Sequence, residues 1–277
     1  CNPWRKNKFK VGDQAIIQSL CWSTSLWPLV QAGLKIKFVD INPSTLNIDV
    51  DDVISKINSK TKVIMIINVL GLCSNLIKLK KFCKKNKIIL IEDNCESLGG
   101  KYKNKDLGTF GDFGTFSFFY SHQITSGEGG MITCNSFEDF KILKSLRSHG
   151  WARDIKTVKK FSHLDPRYVF VNSGFNLRPT DIQAAIGSSQ FDRLETFKKN
   201  RIENRKKIIN SLTKDKRWKN QFYFLKVPKD VKPSYMVFPI FLNPNLEYKK
   251  IKFINYIEKK GLQTRPVISG SFVNQPA

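Results

Sequence analysis

The feature that most constrains the fold is a regular alternation of two apolar patterns in the first hundred residues. Short β-branched runs, which are typical of buried strands, fall at residues 14–18, 35–40, 63–68 and 88–93. Between them, residues 49–58 and 75–85 have helical spacing, the second with Leu76, Leu79 and Phe82 on one face. Strands that alternate with helices in this way form a largely parallel sheet covered by helices. The sequence therefore predicts an α/β protein.

The second half of the chain continues with longer elements. Two further apolar runs, 114–119 and 130–134, flank a polar loop at 120–129 that is too long for a tight hairpin. The pattern then predicts a long helix, a strand and a second helix closed by Gly261, at residues 180–212, 235–242 and 248–260. We predict a large α/β domain over residues 1–195 and a smaller C-terminal α+β domain over 196–277.

The charge balance bears on possible partners. The chain has 47 basic and 23 acidic residues, for a formal net charge of +24, but only ten of the basic residues are arginine. Scattered lysines suit a solvated surface better than a nucleic-acid groove, which favours clustered arginines with interleaved aromatics. We therefore expect no nucleic-acid partner, and we expect the positive field to attract an anionic substrate.

Location and cysteine usage are also open to prediction. No stretch reaches the roughly 20 apolar residues that span a bilayer, so we expect no membrane association and a cytoplasmic location. The six cysteines lack a C-x-x-C spacing, which predicts reduced thiols and no metal site. The chain begins at Cys1 and ends at NQPA without a closing element, so we expect a fragment cut at both ends.

Two segments have side chains suited to chemistry. Asp93 ends the predicted strand IILIED, and open α/β sheets bind ligands at the carboxyl ends of their strands. An acid at that position also commonly forms a turn. His122 lies in a loop of small polar residues within GTFGDFGTFSFFYSHQITSGEGG, where the many glycines and serines suit a backbone packed close to a ligand.

Five ordered motifs carry a family resemblance: EDNCESLG, GTFGDFGTFSFF, EGG, GFNLRPTDIQAAIG and TRP at 264–266. The sequence resembles the DegT/DnrJ/EryC1/StrS family of sugar aminotransferases and dehydratases over essentially its whole length. This resemblance implies the aspartate aminotransferase fold and a pyridoxal 5′-phosphate or pyridoxamine 5′-phosphate cofactor. The family's N-terminal Gly-Ser-x-Ala-Asn phosphate-binding turn is absent from the sequence, which agrees with the expectation of a fragment.

The resemblance places a histidine where the aminotransferases carry their cofactor-binding lysine. That position is His122, and no lysine lies between Lys105 and Lys141. Within the family, this replacement resembles the 3-dehydratases that act on 4-keto-6-deoxy sugar nucleotides for the deoxysugars of lipopolysaccharide O-antigens. A second dehydratase branch adds a cysteine-rich insert for an iron–sulfur cluster. Because no cysteine follows Cys134, we expect the cluster-free branch and no metal.

The family's cofactor contacts map onto four further positions. Asp93 matches the aspartate that pairs with the pyridinium nitrogen, which lets the ring accept electrons. Trp22 matches the aromatic side chain that stacks on the ring, and Ser117 matches a ligand of the cofactor phosphate. Glu96 falls where the family places an acid or amide beside the cofactor hydroxyl. A core tryptophan, a plain strand serine and a charge at a helix start are the structural alternatives for the last three.

Three positions concern the partner subunit and the substrate. Asn176 matches an asparagine that a second subunit contributes to the cofactor phosphate, so the resemblance implies a homodimer with shared active sites. Arg178 and Arg265 fall in motifs near the sugar nucleotide, and guanidinium groups suit its diphosphate.

The resemblance implies a reaction in which L-glutamate supplies the amino form of the cofactor and His122 acts as the base. A nucleotide diphosphate 4-keto-6-deoxyhexose would then lose its C3 hydroxyl. Histidine can take a proton near neutral pH but cannot bind the cofactor covalently as lysine does. Two alternatives stay open: an aminotransferase in which another residue supplies the amine, and a catalytically idle protein that binds sugar nucleotides.

Overall fold

A six-stranded sheet forms the centre of the molecule in the computed structural model, which describes residues 9–153 and 161–276. The strands within these ranges are β1 (Gln14–Gln18), β2 (Lys35–Val39), β3 (Thr61–Ile67), β4 (Ile89–Asp93), β5 (Lys101–Tyr102), β6 (Lys105–Asp106), β7 (Phe113–Ser117), β8 (Gly130–Cys134), β9 (Phe222–Tyr223), β10 (Val231–Lys232) and β11 (Phe241–Leu242). The α-helices are α1 (Ser23–Gln31), α2 (Val50–Lys56), α3 (Leu76–Asn86), α4 (Phe137–Arg147), α5 (Asp181–Phe191), α6 (Leu194–Lys214) and α7 (Lys250–Lys259).

The central sheet is parallel except at one edge. Its strand order is β2-β1-β3-β4-β7-β8; the first five strands are parallel and β8 pairs antiparallel with β7. The chain moves from β1 outward to β2 and then returns past β1 to β3, so its direction reverses beside β1. In open α/β sheets, ligands bind outside the carboxyl ends of the strands at such a reversal. The edge formed by the carboxyl ends of the parallel strands, which includes Gln18, Ile67, Asp93 and Ser117, is called the rim below.

Burial explains the sequence of the inner strands. In β3 every residue except Lys62 is buried, and Ile16 and Ile64 have no exposed surface. Continuous apolar runs of this kind are what a sheet covered on both faces requires. Helix α3 packs Leu76, Leu79 and Cys83 inward while its lysines face solvent.

Most sequence-predicted elements are confirmed with shifts of one or two residues. The predicted strand over 235–242 is wrong apart from β11, because Pro239 cannot donate to a sheet and Tyr235 and Met236 are buried by side-chain packing instead. The predicted helix over 180–212 is two helices, α5 and α6, separated by Asp192 and Arg193. Helix α1 escaped prediction because it contains Pro28, which is disfavoured inside a helix.

The later part of the chain packs partly on the core of the first part. Strand β10 pairs with β5, and Leu225, Tyr235 and Phe272 belong to the same buried cluster as the central sheet. The division at residue 195 stays a prediction. The five cysteines of the described ranges are free thiols, and Cys1 lies outside those ranges.

Candidate active site

Three of the predicted cofactor residues lie at or just after the carboxyl ends of parallel strands, at the rim. Asp93 is the last residue of β4, and Ser117 is the last residue of β7. Trp22 follows β1 and precedes the first residue of α1, with 55% of its surface exposed. Because the carboxyl ends of parallel strands share one edge, the fold brings these three residues to the same edge of the sheet.

Asp93 is held by two short contacts. The Ser25 hydroxyl donates to its Oδ2 at 2.6 Å, and the backbone N–H of Cys95 donates to its Oδ1 at 3.0 Å. Ser25 belongs to the first turn of α1, so a helix that follows β1 fixes a carboxylate on β4. Asp93 is buried, with 8% of its surface exposed. Sequence reasoning missed Ser25 because it lies 68 residues from Asp93.

His122 lies in the loop that connects β7 to β8. Its backbone N–H donates to the Phe119 carbonyl at 3.1 Å, and its Nδ1 is a buried atom that has no hydrogen-bond partner among the described residues. Burial lowers the pKa of the imidazole, the charge of Asp93 opposes this, and the charge of Arg265 lowers the pKa further. The side chain is therefore neutral at pH 7 and able to accept a proton.

Glu96 is a second titratable group at the rim. Its Oε2 accepts from the Leu70 N–H at 2.9 Å, which stabilises Leu70 in the left-handed conformation at φ 56°. Burial raises the pKa of Glu96 to about 7, with a smaller rise from Asp93, while the Leu70 contact and Arg265 oppose the shift. The charges of Asp93 and Arg265 thus act on the pKa values of both Glu96 and His122, although Arg265 itself is exposed.

Gln123 anchors the histidine loop. Its side chain is 2% exposed, and its Nε2 donates to the carbonyls of Glu96 and Ser234, the latter at 3.1 Å. These contacts fix the residue next to His122 against two segments that are distant in sequence. No local pattern could have identified them, because Ser234 is 111 residues away.

Glu92, beside Asp93 on β4, holds the glycine turn that leads into β7. Its Oε1 accepts from the N–H groups of Phe110 and Gly111, each at 2.6 Å, and its Oε2 accepts from Gly108 at 3.0 Å. Although burial raises the pKa of this carboxyl, the three N–H donors oppose the shift. The turn sets where β7 starts and therefore the position of Ser117, the last residue of that strand.

Asn176 and Arg178 lie beside the end of α4. Asn176 forms an isolated bridge with Ser148, and the Arg178 Nε donates to the Asn176 Oδ1 at 3.2 Å. Both residues are exposed, and within residues 9–153 and 161–276 no hydrogen bond or ion pair joins either of them to Asp93 or His122. The prediction that Asn176 completes a partner's site stays a prediction.

The comparison with known proteins decides the family. A sequence profile described as the DegT/DnrJ/EryC1/StrS aminotransferase family matches residues 5–277. The chain belongs to the DegT/DnrJ/EryC1/StrS family. The expectation drawn from the motifs is confirmed, and so is the aminotransferase fold.

Members of the DegT/DnrJ/EryC1/StrS family that resemble this chain include dehydratases. This chain is 34% identical over 275 residues to the GDP-4-keto-6-deoxy-D-mannose 3-dehydratase of Escherichia coli O55:H7. The match covers 97% of this chain and 69% of the dehydratase. A solved E. coli GDP-4-keto-6-deoxy-D-mannose 3-dehydratase with bound hydrated pyridoxal phosphate superposes with a TM-score of 0.85 at 33% identity, over 98% of this chain and 70% of the other. A mutant of such a dehydratase with bound GDP-perosamine gives a TM-score of 0.84 at 32% identity, with the same coverage.

Proposed function

We propose that the protein is a 3-dehydratase of a 4-keto-6-deoxy sugar nucleotide, dependent on pyridoxal or pyridoxamine phosphate and serving lipopolysaccharide O-antigen synthesis. The observation that carries the proposal is His122. By its resemblance to the family, His122 matches the loop position where the aminotransferases carry lysine, and its half-buried imidazole has a pKa below the ordinary value. A base is present there, and a residue that could bind the cofactor covalently is not.

The residues at the rim fit the cofactor. Asp93 presents a fixed carboxylate at the end of β4, which suits the ring nitrogen, and the exposed indole of Trp22 is available to stack on the ring. Ser117 at the end of β7 suits the phosphate, and Glu96 suits the ring hydroxyl. His122 is half-buried, so part of its surface stays accessible to a ligand at the rim.

When bound, the cofactor would supply an electron-accepting ring for the loss of the C3 hydroxyl of the sugar. His122 takes and holds the proton at C4′ of the cofactor, and the low pKa of its imidazole keeps it ready to do so at neutral pH. Gln123 holds the loop through its contacts with the Glu96 and Ser234 carbonyls and would thereby keep the imidazole positioned for this role. Asp93, held by Ser25, keeps the ring oriented.

The proposed substrates follow from the relatives and from the charge of the chain. The dehydratases that it resembles act on a GDP-linked 4-keto-6-deoxy sugar, and the net charge of +24 favours an anionic sugar nucleotide. L-Glutamate is the proposed source of the amino group. Arg265, whose charge acts on His122 and Glu96, is the proposed substrate-side cation. No helix in the described ranges is long and apolar enough to cross a membrane. A cytoplasmic location of the reaction is a separate proposal, supported by the biosynthetic enzymes that the chain resembles.

The proposed assembly is a homodimer with shared sites, supported by an apolar surface around α5. This helix, DIQAAIGSSQF, has no buried residue, and Ile182 and Phe191 expose 74% and 61% of their surfaces. Phe175 and Leu177, on either side of Asn176, are exposed by 61% and 67%. Exposed apolar side chains in such number are typical of protein interfaces, and Phe175 and Leu177 are the chain neighbours of the residue proposed to enter the partner's site.

Product analysis tests the proposal. We expect the protein, given pyridoxal phosphate, glutamate and GDP-4-keto-6-deoxymannose, to release a 4-keto-3,6-dideoxy sugar nucleotide that mass spectrometry detects. His122→Asn should lower the rate by about 10² to 10⁴-fold, the usual contribution of a positioned base. An amino sugar product would instead indicate an aminotransferase, and no product with retained cofactor binding would indicate an idle binding protein.

The variant His122→Lys tests the role of the residue type. We expect it to give a covalent cofactor adduct at residue 122 after borohydride treatment, and dehydration should fall sharply. The parent protein should give no adduct. An adduct on another lysine of the parent, or unchanged dehydration by the variant, would contradict the assignment of His122 as the base.

A further inference from the structure

Ser234 lies at the junction of three loops at the rim. It is 1% exposed and is the second residue after β10, which pairs with β5. Its N–H donates to the Gly71 carbonyl at 3.1 Å, and its hydroxyl donates to the Leu98 carbonyl at 2.5 Å. Its own carbonyl accepts from the Gln123 Nε2 at 3.1 Å. These three partners belong to the loops after β3, β4 and β7, so one buried residue joins the loops that follow three neighbouring strands.

Two of these loops carry titratable side chains of the candidate active site. His122 is the residue before Gln123, and Glu96 lies two residues before Leu98. The Gln123 Nε2 also donates to the Glu96 carbonyl, so one side-chain amide contacts both Ser234 and the turn that contains Glu96. The contacts of Ser234 therefore determine how this turn and the His122 loop lie relative to each other.

The contact with the loop after β3 leaves no room for a residue larger than glycine. Gly71 has a φ of 81°, a conformation that other residues rarely adopt, and a Cβ at this position would overlap the Ser234 carbonyl oxygen. The same oxygen accepts from Gln123. Close approach of the two backbones thus fixes the acceptor that holds the His122 loop, and this approach requires glycine at position 71.

The placement of the His122 loop matters because the reach of the imidazole depends on its position and its pKa depends on burial. Burial lowers the pKa of His122, Arg265 acts in the same direction, and Asp93 opposes the shift. If the loop loosens, water reaches the imidazole and its pKa moves back towards the ordinary value of 6.5. Displacement of a catalytic group by about 1 Å can also lower a rate by about 10²-fold.

We propose that Ser234 is a positioning residue of this site, which holds the His122 loop and the Glu96 turn at a fixed separation without contacting cofactor or substrate. The inference rests on the proposed function for the role of His122 as the base, whereas the contacts that carry it lie within the protein itself. Ser234 comes 111 residues after Gln123. The C-terminal part of the chain thus completes a site that is built on the strands of the central sheet.

Histidine NMR on the cofactor-free protein tests this inference. The chain has three histidines, and His122→Asn identifies the signal of residue 122 by its loss. Ser234→Ala removes the hydroxyl contact with Leu98, and Gln123→Met removes both amide contacts. We expect each variant to raise the pKa of His122 towards 6.5. Combining them should raise it by less than the sum of the single effects, because both act through one junction.

Thr133→Val is the matched control. The Thr133 hydroxyl donates to the Gly108 carbonyl at 2.5 Å, so this variant also loses a contact between a hydroxyl and a backbone carbonyl, but on β8 and outside the His122 loop. We expect it to lower the free energy of unfolding in urea as Ser234→Ala does, yet to leave the pKa of His122 unchanged. An equal pKa change in Thr133→Val, or no change in either Ser234→Ala or Gln123→Met, would overturn the inference.

Steady-state kinetics separates failure of this inference from failure of the proposed function. We expect Ser234→Ala to lower kcat about 10-fold and to change KM for the sugar nucleotide less than about twofold, because the base is misplaced while the substrate contacts remain. If the pKa of His122 moves in the variant but the parent dehydrates no sugar, the positioning role is supported and the proposed function fails. If the parent dehydrates and the variant matches it in kcat and in the pKa of His122, the dehydratase stands and the role of Ser234 is refuted.

Discussion

Arg265 connects the electrostatics of the rim to the pH dependence of the reaction. Its positive charge lowers the pKa of His122, and burial of the imidazole acts in the same direction. A base must be deprotonated to act, so the rate falls as the pH drops through the pKa of His122. With a pKa below the ordinary value of 6.5, the acid limit of kcat lies below pH 6.5.

Arg265→Gln should move that limit upward. Without the guanidinium, protonation of His122 is less disfavoured, so its pKa rises and kcat at saturating substrate should begin to fall at a higher pH. Arg265→Lys retains the charge and is the control. A pH profile of kcat measures the midpoint, and an identical midpoint in parent and Arg265→Gln would show that the two groups do not interact during turnover.

Glu96 should make the stability of the cofactor-free protein depend on pH. Its pKa rises from the ordinary value of 4.5 to about 7 on folding, so between these values the folded state binds more protons than the unfolded state. Stability from this group is therefore full below pH 4.5 and is lost as the pH rises to about 7. The difference corresponds to about 3 kcal/mol at most.

Glu96→Gln should remove this pH dependence of the free energy of unfolding, while the side-chain amide oxygen of the glutamine still accepts from the Leu70 N–H. We expect the free energy of unfolding of the parent, relative to that of Glu96→Gln, to fall by up to about 3 kcal/mol between pH 4.5 and 7 in urea titrations. The exposed Glu138 provides the control as Glu138→Gln. A constant difference across this range would show that Glu96 titrates normally.

At the scale of elements, the buried carboxylate of Glu92 holds the turn that precedes β7. Glu92→Gln replaces Oε2 with an NH₂ group that faces the Gly108 N–H, so a donor meets a donor. We expect a loss of about 3 kcal/mol in the free energy of unfolding, measured with urea. Asp106→Asn, which changes an exposed carboxylate before the same turn, should cost less than about 1 kcal/mol. Equal losses in the two variants would show that the turn does not depend on Glu92.

The elements that sequence could predict are those whose pattern is local. The strands of the central sheet are apolar and β-branched because both faces are covered, and α3 has a lysine face and a leucine face, so each is evident without any neighbour. Helix α1 contains a proline, and Tyr235 is buried without being in a strand, so local pattern is misleading at both.

The same distinction applies to the site. Asp93 could be placed at the rim because it ends a predicted strand, whereas Ser117 was identified only by its match to the family and proved to end β7 in the structure. The supports of the site were not predictable, because Ser25, Gln123 and Glu92 act through partners 16 to 111 residues away. The roles of these residues towards cofactor and substrate depend on molecules and on a second chain that no local pattern specifies.

At the scale of the whole molecule, the exposed face of α5 predicts association. Ile182→Asp combined with Ile186→Asp places two charges on this face, where no residue is buried in the single chain, so the fold itself should be little affected. We expect the double variant to be monomeric in sedimentation experiments and to bind pyridoxal phosphate at least about 10-fold more weakly, because Asn176 would no longer reach a second site. Lys207→Asp on exposed α6 is the charge control. A dimer with normal affinity would rule out this face.

The attachment of residues 269–272 to the segment after β1 has a consequence for the order of events during synthesis. The Phe272 N–H donates to the Ser19 carbonyl at 2.7 Å, and the Ser269 hydroxyl donates to the Cys21 carbonyl, 248 residues away. The ribosome makes the strands of the central sheet early, and they can collapse while translation continues. The backbone just before Trp22 receives these anchors only after residue 272 has been made. A nascent chain can thus form its sheet well before the backbone next to Trp22 is fixed. Pyridoxal phosphate that binds during translation would therefore encounter an incompletely folded cofactor site.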